Sequence, residues 1–183
     1  MKLTVKEMAI FSMLGALMYA SKMLMEFMPN VHLIGVFIVA MTVVFRFKAL
    51  YPIYVFAFLT GLMNGFGTWW WPYLYIWLPL WGATMLLPKN MPKKVAPLVY
   101  MVVCSLHGFL YGTLYAPFQA IVFLQGDLKK TLAWIAVGLK WDCVHGIGNF
   151  VLGALIVPLI TVMRLSLKET ENKPVEKEKD PEE

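Results

Sequence analysis

Residues 49–88 contain no Asp, Glu, Lys or Arg. Forty uncharged and mostly apolar residues are about twice the roughly 20 that a helix needs to cross a bilayer. The stretch is therefore predicted to form two membrane spans, joined within residues 64–72 where glycines, Thr68 and Pro72 interrupt the helix pattern. The whole 183-residue chain agrees, because at 60% hydrophobic and a mean hydropathy of +0.66 it has more apolar surface than a soluble domain of its size can hide. An all-α integral membrane protein is expected.

Residues 95–126 and 131–163 supply further spans, the first long enough that its part after Pro117 can bend into the interface. Residues 8–22 and 31–45 are shorter: fifteen residues at about 1.5 Å each fall short of a core of roughly 30 Å unless their flanks join in. Lys6 and Lys22 can snorkel from such ends. Six transmembrane helices result, with loops near residues 26–30, 46–48, 64–72, 88–94 and 125–130.

Placing both termini in the cytoplasm puts eight basic residues inside (Lys2, Lys6, Arg46, Lys48, Lys89, Lys93, Lys94, Arg164) against three outside (Lys22, Lys129, Lys130). That asymmetry is the one the positive-inside rule favours. The expected location is the cell membrane, multi-pass, with the lipid bilayer as surroundings and no nucleic-acid partner. The first fifteen residues lack the separate regions of a cleavable signal peptide, so the amino terminus is expected to be retained. Residues 1–167 are read as the membrane domain. Residues 168–183, with 4 Lys and 7 acids, are read as a charged, disordered cytoplasmic tail, leaving 12 basic and 4 acidic residues in the rest. Cys104 and Cys143 are read as core residues.

Polar side chains at membrane depth are costly and usually face a cavity or the bundle interior. In the stretch GLKWDCVHGIGNF, Asp142, His145 and Asn149 recur at i, i+3 and i+7, one stripe of a helix. They suit the polar wall of a ligand pocket, with an internal hydrogen-bond network between helices as the alternative. A metal would need His107 as a further ligand, and metal-ligand spacing is absent, so no metal is expected. The preceding span repeats the pattern with Tyr100, Cys104, His107, Tyr111 and Tyr115. Beside them, Gly108 and Gly112 form a small-residue face that permits close helix contact.

Five of the seven tryptophans fall in GFGTWWWPYLYIWLPLW, residues 65–81. An interfacial aromatic belt explains one or two of them. Three in a row, Trp69 to Trp71, point in different directions, so at least one is expected to turn toward the bundle. Tyr73, Trp77 and Trp81 share a helical face. No nucleophile elbow, phosphate-cradling loop or zinc-protease helix is present, so an ATP site within the chain is not expected.

Size, six helices and cytoplasmic termini resemble the substrate-binding S-component of energy-coupling factor (ECF) transporters. So do Ser12, Ala16 and Ala20 in SMLGALMYA, Pro29-Asn30-Val31, and HGIGNF in the last span. The resemblance covers about residues 1–165. It implies a protein that captures a vitamin or related micronutrient from outside, without chemical change, and topples to dock on a transmembrane coupling subunit and two ATPases. ATP is then used by those partners and no cofactor is held by this chain. It also implies that Ser12, Ala16 and Ala20 dock the coupling subunit. Glu26, Asn30, His32, Asn64, Trp70, Trp71, Tyr73 and Trp77 would cap the ligand, with His107, Tyr111, Asp142, His145 and Asn149 as the inner wall. The chain lacks the glutamate that thiamin-binding members carry in the fourth helix and the amino-terminal Met-His of nickel and cobalt members. A flat heterocyclic micronutrient is therefore the expected ligand. Two readings from the residues alone stay beside this one: a membrane enzyme using Asp142, His145 and His107, and a membrane scaffold with lipid-facing aromatics.

Overall fold

The structure is a computed structural model that describes residues 3–172. Its eight α-helices are α1 (Val5–Leu24), α2 (Ile34–Phe45), α3 (Leu50–Asn64), α4 (Leu78–Leu86), α5 (Ala96–Phe109), α6 (Tyr111–Val122), α7 (Leu128–Leu152) and α8 (Ile156–Asn172). Short 3-10 helices cover Arg46–Ala49, Thr68–Leu74 and Gly153–Leu155, and no strand occurs among the described residues. Three helical runs are long and apolar enough to cross a membrane: Ile34–Asn64, Ala96–Val122 and Leu128–Leu167. The fold is that of an all-helical membrane protein.

The first helix is longer than its apolar run suggests. The Thr4 hydroxyl accepts from the Glu7 amide at 3.2 Å while the Glu7 carboxylate accepts from the Thr4 amide at 3.1 Å, a reciprocal cap that starts α1 at Val5. Its 20 residues then measure about 30 Å. One face buries Phe11, Leu14, Gly15, Met18 and Ser21. The opposite face leaves Ser12, Ala16 and Ala20 exposed. The buried face lies chiefly on α3, with Phe11 stacked on Tyr51 at 5.9 Å. Gly15 is required there, since a Cβ would come within 2.7 Å of the Val55 side chain and 3.0 Å of the Pro52 carbonyl.

The core centres on α2. Every residue from Ile34 to Thr42 is buried, as expected of a helix apolar on all sides, and α1, α4, α5, α7 and α8 all pack against it.

Five expectations need correction. Residues 46–48 are no loop but the tight 3-10 turn that joins α2 to α3, where Arg46 takes a left-handed φ of 54°. That strained residue is pinned by its own guanidinium, which donates to the Met85 carbonyl at 2.5 Å, and by Trp81 Nε1, which donates to its carbonyl at 3.3 Å. The span over residues 95–126 breaks at Leu110, not after Pro117, which stays inside α6. The last span is interrupted at Gly153–Leu155: Pro158 cannot donate to the Ala154 carbonyl and its ring crowds it, so regular α-helix does not run through. Cys143 is exposed, whereas Cys104 is buried. Helix α8 continues to Asn172, so residues 168–172 of the expected disordered tail are helical; residues 173–183 lie outside the described residues.

Candidate ligand site

Helices α5 and α7 form the closest contact at the centre of the site. A Cβ on Gly108 would lie 2.8 Å from the Gly146 Cα and 2.9 Å from Asn149 Nδ2. A Cβ on Gly146 would lie 2.5 Å from the Phe109 ring. With nothing but hydrogen at both positions, the backbones approach closely enough for Ser105 Oγ to donate to the Gly146 carbonyl at 2.8 Å. Asn149 Nδ2 donates to the Cys104 carbonyl at 3.2 Å. Gly35 brings α2 onto the same spot, since its Cβ would meet Cys104 Sγ at 2.8 Å. Three helices therefore make a floor around Asn149, whose Oδ1 is buried with no hydrogen-bond partner.

One and two helical turns before Asn149 on α7 stand His145 and Asp142. His145 is 2% exposed, and neither ring nitrogen has a partner. Its ring lies between His32 at 4.8 Å and Tyr111 at 4.9 Å. The aromatic chain continues from Tyr111 to Trp77 at 6.0 Å and from Trp77 to His107 at 5.8 Å and Tyr73 at 5.5 Å. His107 Nε2 is used on the Ile76 carbonyl at 2.8 Å, but His107 Nδ1, Trp77 Nε1, Tyr75 Oη and His32 Nδ1 are buried and unpaired. The His32 side chain as a whole is half-buried, yet its Nδ1 is enclosed. Burial pushes its imidazole down to about 4, so at neutral pH it offers one donor and one acceptor. Buried polar atoms normally find partners. The atoms here without a partner in the protein gather on aromatic walls, which marks the region as the candidate site.

Asp142 has a structural duty as well. The helix break at Leu110 frees the first amides of α6, and Asp142 Oδ1 accepts from the Gly112 N–H at 3.0 Å. A Cβ on Gly112 would lie 2.5 Å from Asp142 Oδ2, so glycine is needed for the carboxylate to reach. Oδ2 itself is buried and unpaired. Asp142→Ala is expected to lower stability by about 1–2 kcal/mol through loss of this cap, read as thermal unfolding in detergent. Asp142→Asn, whose amide oxygen can still accept, should recover most of it. An asparagine variant as unstable as the alanine one would show that charge, not capping, is what the fold uses.

Beside Tyr111 and Asp142 opens a cleft of about 390 Å³ that also includes Asn30, Tyr115, Trp134 and Trp141 in its lining. That volume lies within the range of small-molecule sites. Tyr115 and Trp134 stack at 5.9 Å to form one wall.

The structure thus gathers Asn30, His32, Tyr73, Trp77, His107, Tyr111, Asp142, His145 and Asn149 in one region. It does not bring four other expected residues there. Trp70 turns inward but onto α3, where its Nε1 donates to the Ala57 carbonyl at 2.7 Å. Trp71 is 55% exposed. Asn64 accepts from the Tyr19 hydroxyl at 3.3 Å, tying α3 to α1, and Glu26 is exposed beyond α1. Trp134 and Trp141, which the sequence reading passed over, line the cleft instead. Their signal lies in the sequence: Trp134, Gly138, Asp142, His145 and Asn149 recur at three and four residues, with Trp141 adjacent to Asp142.

Fold and site together define a helical membrane protein with a buried polar cluster beside an aromatic cleft. No protein-family model, no curated protein and no solved structure matches the chain.

Proposed function

We propose that this protein is the substrate-capture component of an ECF-type uptake transporter, taking a small heterocyclic micronutrient from outside the cell. The observation that carries this reading is the set of unpaired buried polar atoms on His32, Trp77, His107, Asp142, His145 and Asn149, beside an aromatic cleft of ligand size. A flat ring suits walls of Tyr115, Trp134 and Tyr111. Ring nitrogens, carbonyls or amino groups would then satisfy the histidines and asparagine.

In this reading the chain crosses the bilayer six times with both termini in the cytoplasm. The crossings are α1, α2, α3, the 3-10 helix Thr68–Leu74 continued by α4, α5 with α6, and α7 with α8. Helix α2, enclosed by its neighbours, need not meet lipid along its length. Three contacts support one basic, inward end: the Lys48–Glu7 ion pair, the Arg46 bond to the α4 terminus, and a groove that collects Lys89, Lys93 and Arg164. The exposed small residues Ser12, Ala16 and Ala20 offer α1 as the docking face for a coupling subunit, which with two ATPases supplies the energy. The tie between Asp142 Oδ1 and Gly112 favours binding over the acid–base chemistry an enzyme would need from it.

The test is a thermal-shift screen of the detergent-purified full chain against vitamins and their precursors. One compound should give a saturable rise, worth about 2.7 kcal/mol at a hundred times its Kd. Asn149→Ala and His145→Ala should abolish it. A shift that survived both substitutions would place the ligand elsewhere and defeat the reading, and conversion of the compound by the isolated chain would make it an enzyme.

A further inference from the structure

A second cleft lies at the far end of the bundle. Helices α2, α5 and the run of α7 and α8 each take part in both places: Gly35 and Val43, Cys104 and Ala96, Asn149 and Ile160. The groove is about 550 Å³ and carries three cations, Lys89 and Lys93 from the segment between α4 and α5, and Arg164 from α8. Asn90 adds a neutral polar group, while Val43 and Ile160 give it an apolar floor.

No acid answers these cations among the residues up to Leu167. Glu7 pairs with Lys48, Asp127 pairs with Lys130 at 3.5 Å, Asp142 caps α6, and Glu26 is exposed in the connection after α1. Beside Arg164 on α8, Val162 and Leu165 are 59% and 56% exposed. Cations without counter-charges among the residues up to Leu167, over an apolar floor and next to an exposed apolar helix surface, match a molecule with an anionic head and hydrocarbon chains.

We infer that this groove binds the phosphate headgroup of an anionic phospholipid, with its acyl chains lying along the exposed apolar surface of α8. The site is separate from the ligand cleft and does not depend on what that cleft carries. Its physical role is to hold the basic end of the bundle at the membrane boundary.

Native mass spectrometry of the full chain in neutral detergent tests it, with phosphatidylglycerol, phosphatidylcholine and inorganic phosphate titrated separately. One phosphatidylglycerol should bind with a preference over phosphatidylcholine of roughly a hundredfold, as three basic contacts to an anionic surface would confer. Lys89→Gln/Lys93→Gln/Arg164→Gln should lose that preference. Lys22→Gln/Lys129→Gln/Lys130→Gln, a matched removal of three charges elsewhere, should keep it. The melting temperature and circular dichroism of both variants establish that they fold. Equal loss in both variants would mean diffuse attraction and overturn the site. Binding of inorganic phosphate as tight as that of the lipid would overturn the lipid as its occupant.

Discussion

Gly108→Val is expected to abolish ligand binding and to lower stability by about 3 kcal/mol, the upper part of the range for overpacking a close contact. The reason is that the valine Cβ would start 2.8 Å from backbone atoms of Gly146, not from the tip of a movable side chain. To make room, α5 and α7 must separate. That separation stretches the Ser105 bond to the Gly146 carbonyl and the Asn149 bond to the Cys104 carbonyl. The placement of Asn149 and His145 is lost with them. Gly82→Ala is the control, since nothing lies within 4 Å of a Cβ there and alanine favours a helix over glycine by up to about 1 kcal/mol. Thermal unfolding and ligand titration of both variants check this. A valine variant that melted and bound like the parent would mean that the two helices do not meet at these glycines.

Ala16→Leu is expected to do the reverse, leaving fold and ligand binding intact while stopping uptake. Ala16 is exposed on the face of α1 turned away from Phe11, Leu14 and Met18, so a larger side chain meets nothing within the chain. Surface substitutions of that kind usually stay within about 0.5 kcal/mol. A partner helix lying against Ser12, Ala16 and Ala20 would be pushed off by the added carbons. Reconstitution with coupling subunit and ATPases should show uptake reduced by more than roughly tenfold, the equivalent of 1.4 kcal/mol in docking, with ligand affinity unchanged. Unimpaired uptake would remove α1 from the docking surface; weakened binding would make Ala16 part of the ligand site instead.

Much of this was legible in the residues. The charge-free run at residues 49–88 and the overall hydropathy lead to a helical membrane protein, because burial of backbone and apolar side chains in lipid depends on local composition. The stripe of Asp142, His145 and Asn149 was legible because the helical period is a local property. Even the true start of α1 was written in Thr-Val-Lys-Glu, a capping box that apolar run length alone does not detect.

Other features depend on partners far away in the chain. That Arg46 could turn in a left-handed conformation rests on Met85 and Trp81, 39 and 35 residues later. That Asp142 would cap a helix rests on a break at Leu110, which local pattern placed after Pro117. The tryptophan cluster illustrates the limit best. A side-chain type can be read as costly or aromatic, but not which neighbour it meets. Trp70 was taken by the Ala57 carbonyl on α3, while Trp134 met Tyr115 across the cleft.

By itself, then, the sequence determined the class of protein, its apolar helical stretches and the faces on which they carry polar groups, all properties set within a few turns of chain. Only the tertiary structure decided that α2 is the enclosed centre and that three glycines bring α2, α5 and α7 together. It alone left His145 and Asn149 with atoms unpaired, because whether a buried group has a partner depends on every other segment that arrives beside it.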